Sequence, residues 1–100
     1  DTLLLHEIVH GVAKRERELD QLITSHLDNN RRLDRLEVLL RAVLRAAALE
    51  LLARSEAPAR VIINEYVNVA WAFFGGMEPA LVNATLDGLS REMRPQELSD

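Results

Sequence analysis

The chain has 100 residues, of which 48% are hydrophobic and seven are glycine or proline, a composition that favours one helical globular domain over a disordered chain. It contains no cysteine, which excludes disulfides and thiolate metal sites. No apolar run reaches the roughly 18 residues of a membrane helix, and no signal-peptide pattern opens the chain. We therefore expect a cytoplasmic protein without a membrane partner.

The net charge of −4 is unevenly distributed. Residues 31–60 carry seven arginines against four carboxylates, a balance of +3, whereas the rest of the chain holds five basic and twelve acidic residues. Arginine provides eleven of the twelve basic side chains, and its planar guanidinium suits phosphate. This asymmetry is compatible with a polyanion site around the middle of the chain.

The first predicted helix runs from Thr2 to Leu27, with its apolar residues on one broad face. The charged run Lys14–Glu18 interrupts that face, which predicts a kink. The turn-forming residues Asp28-Asn29-Asn30 then end the helix.

Within this helix, His6-Glu7-Ile8-Val9-His10 matches H-E-x-x-H, the pattern of zinc peptidases. A catalytic zinc needs a third protein ligand. The remaining histidine, His26, lies roughly 24 Å along the helix, while a glutamate such as Glu37 or Glu50 stays open as a ligand. We interpret the motif as surface histidines, expect no metal and no cofactor, and keep a zinc peptidase as the third hypothesis.

The second predicted helix, Leu33–Arg54, has two apolar sectors separated by charged seams. One sector holds Val38, Ala42, Ala46, Leu49 and Ala53, and the nearly opposite one holds Leu40, Leu44, Ala47, Ala48 and Leu51. A helix that is apolar on two sides is buried on two sides. This pattern predicts a central helix between two helical layers, in which enlarging either Ala46 or Ala47 is destabilising.

The start of the central helix carries capping signals. Asp34 as N-cap and Glu37 three residues later form a predicted capping box, and Leu33 and Val38 are spaced for a hydrophobic staple.

Two further helices complete the predicted bundle. Pro58 is placed as the first residue of the third helix, and Gly75-Gly76 ends that helix by supplying a left-handed residue. Pro79 opens the fourth helix, and Arg94-Pro95 ends it before a frayed tail. The fold class is therefore all-α, a single helical domain over residues 1–100.

Several segments of the chain resemble one known family. Residues 60–65 (RVIINE), Phe73 and residues 81–87 (LVNATLD) resemble the signature of the NusB family of bacterial transcription antitermination factors. Further similarity lies in residues 42–45 (AVLR) and 49–51 (LEL) of the central helix, in Gly11-Val12 and in Leu19-Asp20. The resemblance extends in order over essentially the whole chain.

The resemblance implies an all-α fold of two small bundles and a protein without catalytic activity. It also implies binding of boxA-type RNA together with the ribosomal protein NusE in the transcription elongation complex. Family members carry about two further upstream helices, the first rich in arginine, so we expect this chain to represent the family without them. Ala80, Leu81 and Ala84 replace a basic residue, a phenylalanine and a glycine, and Leu40 and Met77 replace often acidic positions of the NusE-facing region.

Four residues are candidates for RNA binding. Arg41 and Arg45 lie one turn apart on a seam of the central helix, although a solvated seam with a Glu37–Arg41 pair explains them equally. Arg60 begins the third helix, where backbone N–H groups also attract phosphate. Phe73 is a candidate for stacking on a base, with core packing as the alternative.

Four other polar or aromatic residues of the last two helices are interpreted as structural. Asn64 and Asn83 are expected to bond neighbouring helices, and Tyr66 and Trp71 to pack.

Two alternatives and one self-association follow from the same residues. The second hypothesis is a helical interaction module without RNA binding, and a related one is the NusB-like domain of ribosomal RNA methyltransferases. The isolated chain is also expected to form a homodimer through residues 3–12 and exposed apolar surface of the central helix.

Overall fold

The computed structural model describes residues 2–28 and 31–98, and within them the chain forms five α-helices and one 3-10 helix but no strand. The helices are α1 (Thr2–His26), the 3-10 helix (Leu33–Arg35), α2 (Val38–Ala53), α3 (Ala59–Phe73), α4 (Glu78–Met93) and α5 (Pro95–Leu98). The predicted all-α class is confirmed. None of the helices in this described part combines the length and apolar character that crossing a membrane requires.

α2 is the central helix, as predicted. α1 packs along one flank, where Gly11 permits a close approach: a Cβ atom there would lie 2.8 Å from Cδ2 of Leu49. α3 and α4 pack along the other flank. The face of α2 that belongs to the core of the molecule is formed by Leu40, Leu44, Ala47, Ala48 and Leu51.

The opposite apolar sector of α2 is covered in part: Leu49 is 6% exposed and packs close to Gly11 of α1, whereas the other four positions of the sector are open or half-buried. Val38 is 68% exposed, Ala42 and Ala53 are exposed, and Ala46 is half-buried. An open groove of about 240 Å³ follows this sector between α1 and α2. The expected position of α2 between helical layers is confirmed, but the described helices cover its second sector incompletely, and the chain exposes apolar surface there as expected.

The start of α2 differs from the prediction. Residues Leu33–Arg35 close a separate 3-10 turn that buries Leu33, and the α-helix begins only at Val38. Glu37, and not Asp34, is therefore the N-cap, and its carboxylate accepts from the N–H of Leu40. The staple prediction is also wrong, because Leu33 is turned into the core while Val38 faces solvent.

The predicted kink in α1 is confirmed. Arg15 has φ −116° and ψ 20°, outside the helical region, within the charged run Lys14–Glu18. Two residues of the predicted turn after α1, Asn29 and Asn30, lie outside the described residues.

The boundaries of α3 and α4 agree with the prediction within a few residues. Pro58 is the N-cap of α3 and not its first residue, and α4 begins at Glu78 with Pro79 in its first turn. The glycine turn follows α3, and its left-handed residue is Gly76, at φ 63°.

The segment after α4 is ordered by Arg94, which contradicts the expectation of a frayed tail for residues up to Leu98. Arg94 is only 8% exposed, and its guanidinium donates to the carbonyls of Leu51, Arg54 and Ala57 and to Glu97. These contacts satisfy carbonyls at the C-terminal end of α2 that have no helical partner.

Glu97, the carboxylate partner of Arg94, links this junction to α3. Glu97 Oε1 accepts from the backbone N–H of Ala59 at 2.8 Å, in the first turn of α3. One ion pair thus caps the end of α2 and the beginning of α3. Leu98, which is 4% exposed, closes the core behind it.

A second polar cluster joins α2 to α3. Glu50, only 5% exposed, accepts from the hydroxyl of Tyr66 and from Arg54 Nη1 at 2.7 Å. Burial and the Glu50 carboxylate raise the pKa of Tyr66 above its usual range, so the hydroxyl remains a donor. This contact joins the last turns of α2 to the middle of α3.

Candidate nucleic-acid interface

A cleft of about 560 Å³ opens at the N-terminal end of α2. Its walls come from the second half of α1, the 3-10 segment and the first turns of α2, and four of its eight lining residues are arginines: Arg31, Arg32, Arg41 and Arg45. The prediction of a polyanion site in residues 31–60 therefore corresponds to one continuous surface feature. Asp20 and Asp34 also line the cleft, so whether each arginine is available to an anion depends on its own hydrogen-bond partners.

Arg45 is engaged in contacts within the protein. Its Nε and Nη2 donate to the two carboxylate oxygens of Asp20 at 2.7 and 2.9 Å, and Glu16 lies 3.5 Å from Nη1. The bond with Asp20 raises the pKa of Arg45 above its ordinary value. A bidentate pair uses the guanidinium face that phosphate would need, so Arg45 ties α1 to α2 and is not an available anion ligand.

Arg41 has different partners, although it lies only one turn away. Its Nη1 donates to the backbone carbonyls of Asp34 and Leu36 at 3.1 and 3.2 Å. These neutral acceptors hold the side chain in place and leave its positive charge uncompensated. The expected pair with Glu37 does not form, because that carboxylate caps α2. Arg41 is the positioned cation of the cleft.

Arg31 and Arg32 form the outer rim. Each has one carboxylate partner close in sequence, Asp28 at 3.2 Å and Asp34 at 3.3 Å, and the Arg32 side chain is 69% exposed. Exposed pairs of this kind contribute little energy and are readily exchanged. Sequence reasoning noted their charge but did not select either residue.

The structure does not bring Arg60 to the cleft. Arg60 lies in the first turn of α3, near the C-terminal end of α2, and pairs with Asp87 of α4 at 3.0 Å. Arg91 also bonds Asp87 at 2.9 Å, and Arg91 and Arg60 together hold the pKa of that carboxyl below its usual range.

Phe73 ends α3 and is 64% exposed, so the core-packing alternative for it is wrong. Phe73 is not among the residues that line the cleft. Half-buried Phe74 provides the packing at this helix end.

Three residues assigned to packing are instead on the surface. Trp71 is 63% exposed, and Asn64 and Asn83 are exposed as well. Helical periodicity placed Trp71 and Asn64 away from the buried face, which was the signal that could have identified them. Of the two residues assigned to the NusE-facing region, Leu40 is only 4% exposed and therefore does not face a partner. Met77 is 66% exposed.

The H-E-x-x-H motif lies on the exposed side of α1, where His6, Glu7 and His10 are all solvent-facing. Among the described residues, no three histidine, aspartate or glutamate side chains are close enough to hold a metal ion. His26 instead contacts Glu92 of α4 at 2.7 Å. The motif has no further ligand in this part of the chain.

The helical architecture and the arginine-lined cleft define an all-α protein with a candidate polyanion surface. Residues 1–91 match the model of the NusB family, and the chain belongs to that family. The resemblance and the fold predicted from it are thereby confirmed.

Individual relatives agree with this assignment. The chain is 46% identical to the transcription antitermination protein NusB of Bartonella tribocorum, over 87% of this chain and 56% of that protein. It is 42% identical to the NusB of Maricaulis maris, over 97% and 61% respectively. The solved structure of T. maritima NusB superposes with a TM-score of 0.82 at 32% identity, covering 92% of this chain and 64% of that one. The chain thus spans less than two thirds of the length of these relatives.

Proposed function

We propose that this protein acts in transcription antitermination in the cytoplasm, as a non-catalytic adaptor that binds boxA-type RNA together with NusE in the transcription elongation complex. Membership of a family whose relatives are named for antitermination supports the process. The observation that carries RNA binding is Arg41, a positioned cation in an open cleft that has no carboxylate partner among residues 2–28 and 31–98.

The geometry suits the backbone of a single strand. Arg41 provides a fixed donor inside the cleft, and Arg31 and Arg32 provide exchangeable charge at its rim. Phe73, exposed at the end of α3, offers an aromatic face to an unstacked base. Phosphate contacts give affinity, and base contacts add selectivity.

Titration of a fluorescently labelled boxA-type RNA at several salt concentrations tests this function. We expect affinity to fall with salt, with a slope near −0.7 per phosphate contact for a single strand. Arg41→Ala should weaken binding and reduce the slope by about one contact. The matched control is Lys14→Ala, which removes one exposed positive charge from α1 outside the cleft.

The same titration with NusE present separates the two leading hypotheses. RNA binding that strengthens with NusE supports the adaptor. Binding of NusE without any binding of RNA would instead support the helical interaction module and contradict the proposed function.

The open apolar sector supports the proposal of a homodimer. Leu3, Leu5 and Val9 on α1 are each more than 60% exposed, beside the groove along α2. A two-fold arrangement lets one patch serve both copies. Sedimentation at about 100 µM should show a dimer that is insensitive to salt, and Val9→Glu should dissociate it. A wild-type monomer at that concentration would contradict the dimer and leave the RNA proposal untouched.

A further inference from the structure

A polar and aromatic stripe lies along the exposed face of α3. Arg60, Asn64, Asn68 and Trp71 follow one another at spacings of four, four and three residues. At 100° per residue these positions share a sector of about 80° and extend over about 16 Å. All four side chains are exposed.

α4 adds a residue to this stripe. The Arg60–Asp87 ion pair joins the first residue of the stripe to α4. Asn83 lies one turn before Asp87 on that helix. Asn83 is also exposed.

The amides on this stripe are unused by the fold. Within residues 2–28 and 31–98, the side chains of Asn64, Asn68 and Asn83 make no hydrogen bond to the rest of the chain. Each amide presents both donors and an acceptor to an incoming group. Glu65, the one acidic residue of α3, lies about 100° from the centre of the stripe.

The exposed indole completes the set of groups. Trp71 is 63% exposed, although tryptophan is mostly buried in folded proteins. An aromatic face binds unstacked bases, amides bond base edges, and arginine binds phosphate. A protein partner would require an apolar surface around the tryptophan, whereas its neighbours on the stripe are polar.

We propose that this stripe is a second RNA-contacting surface, on which Trp71 stacks against a base of single-stranded RNA and the neighbouring asparagines bond base edges. This inference rests on the proposed function, because it extends the contacts of the same RNA from the cleft to the exposed face of α3. Arg60 then contributes at the far end of the stripe, and not in the cleft.

The single tryptophan of the chain gives a direct test. Its fluorescence is recorded while two probes are added: a single-stranded RNA of about nine nucleotides and an abasic ribose-phosphate strand of the same length and charge. We expect the RNA to quench Trp71 and the abasic strand to bind weakly without quenching. Trp71→Ala should weaken RNA binding by about 5- to 150-fold, the range for loss of one stacked base.

Two variants separate stacking from general effects. Trp71→Phe should retain most of the affinity, because it keeps an aromatic face. Val69→Ala, an exposed apolar residue of the same helix about 140° from the centre of the stripe, should bind like the wild type. Thermal melting of each variant establishes that the fold is intact.

The outcomes distinguish this inference from the proposed function. If RNA binding depends on Arg41 while Trp71 is neither quenched nor needed, the second surface is wrong and the proposed function stands. If no RNA binds, both are wrong. A blue shift of Trp71 with protein concentration alone would show that the stripe contacts a second copy, which also overturns the inference.

Discussion

The two ends of α2 use arginine in opposite ways. At the C-terminal end, Arg94 is buried and donates to three carbonyls and one carboxylate. At the N-terminal end, Arg41 is held by two carbonyls in an open cleft, and Arg31 and Arg32 are exposed. The first arrangement completes the fold, whereas the second leaves positive charge directed at solvent. What separates a structural arginine from a candidate ligand is therefore its burial and its partners.

Removing Arg94 is the most severe way to test this comparison. Arg94→Ala would leave the carbonyls of Leu51 and Ala57 without this donor and remove one of the two donors to the Arg54 carbonyl. Each buried acceptor left unsatisfied typically costs about 1–3 kcal/mol. Urea unfolding should show this loss for Arg94→Ala, and a change within about 0.5 kcal/mol for the exposed Arg32→Ala. Equal effects would mean that the two ends do not differ.

The two faces of α2 allow a second comparison, through adjacent alanines. Ala47 is fully buried, whereas Ala46 is half-buried beside the open sector. Ala47→Leu should lower the free energy of unfolding by about 1–3 kcal/mol through overpacking. Ala46→Leu should be tolerated far better, which revises the expectation that both are harmful. A large loss for Ala46→Leu at a protein concentration where the chain is monomeric would show that this sector is covered.

The smallest expected effect concerns pH and Glu97. The bond from the Ala59 N–H, with Arg94 nearby, holds the pKa of Glu97 below its ordinary value. Its stabilisation is therefore present above the unfolded pKa, about 4.3, and is lost as pH falls through the lower folded pKa. Glu97→Gln should be less stable than the wild type at pH 7, and the difference should shrink below about pH 4. A constant difference across that range would exclude the carboxylate as the cause.

Helical periodicity was sufficient to predict the all-α class, the central position of α2 and the kink near Arg15. These features depend on patterns that are local in sequence. The closed turn that buries Leu33 and moves the start of α2 to Val38 was not predictable, because it depends on tertiary burial. The contacts of Arg94 were not predictable either, because its carbonyl acceptors are 37 to 43 residues away in the chain.

The candidate site was predicted in part. The charge balance indicated the region in which the arginine-lined cleft lies, and Arg41 and Arg45, two of the selected residues, line that cleft. Arg45 carries the same charge one turn later, but its partner Asp20 comes from another helix, 25 residues earlier in the chain. Spacing alone cannot distinguish two arginines whose difference is made by an aspartate on α1.

The most direct test of the account compares Arg41→Ala with Arg45→Ala in two measurements, RNA affinity and thermal melting. We expect Arg41→Ala to weaken RNA binding with little change in melting temperature. Arg45→Ala should instead lower the melting temperature, because it leaves Asp20 without its bidentate partner, and should weaken RNA binding less. The reverse pattern, with RNA affinity lost in Arg45→Ala and retained in Arg41→Ala, would contradict the assignment of Arg41 as the anion ligand of the cleft.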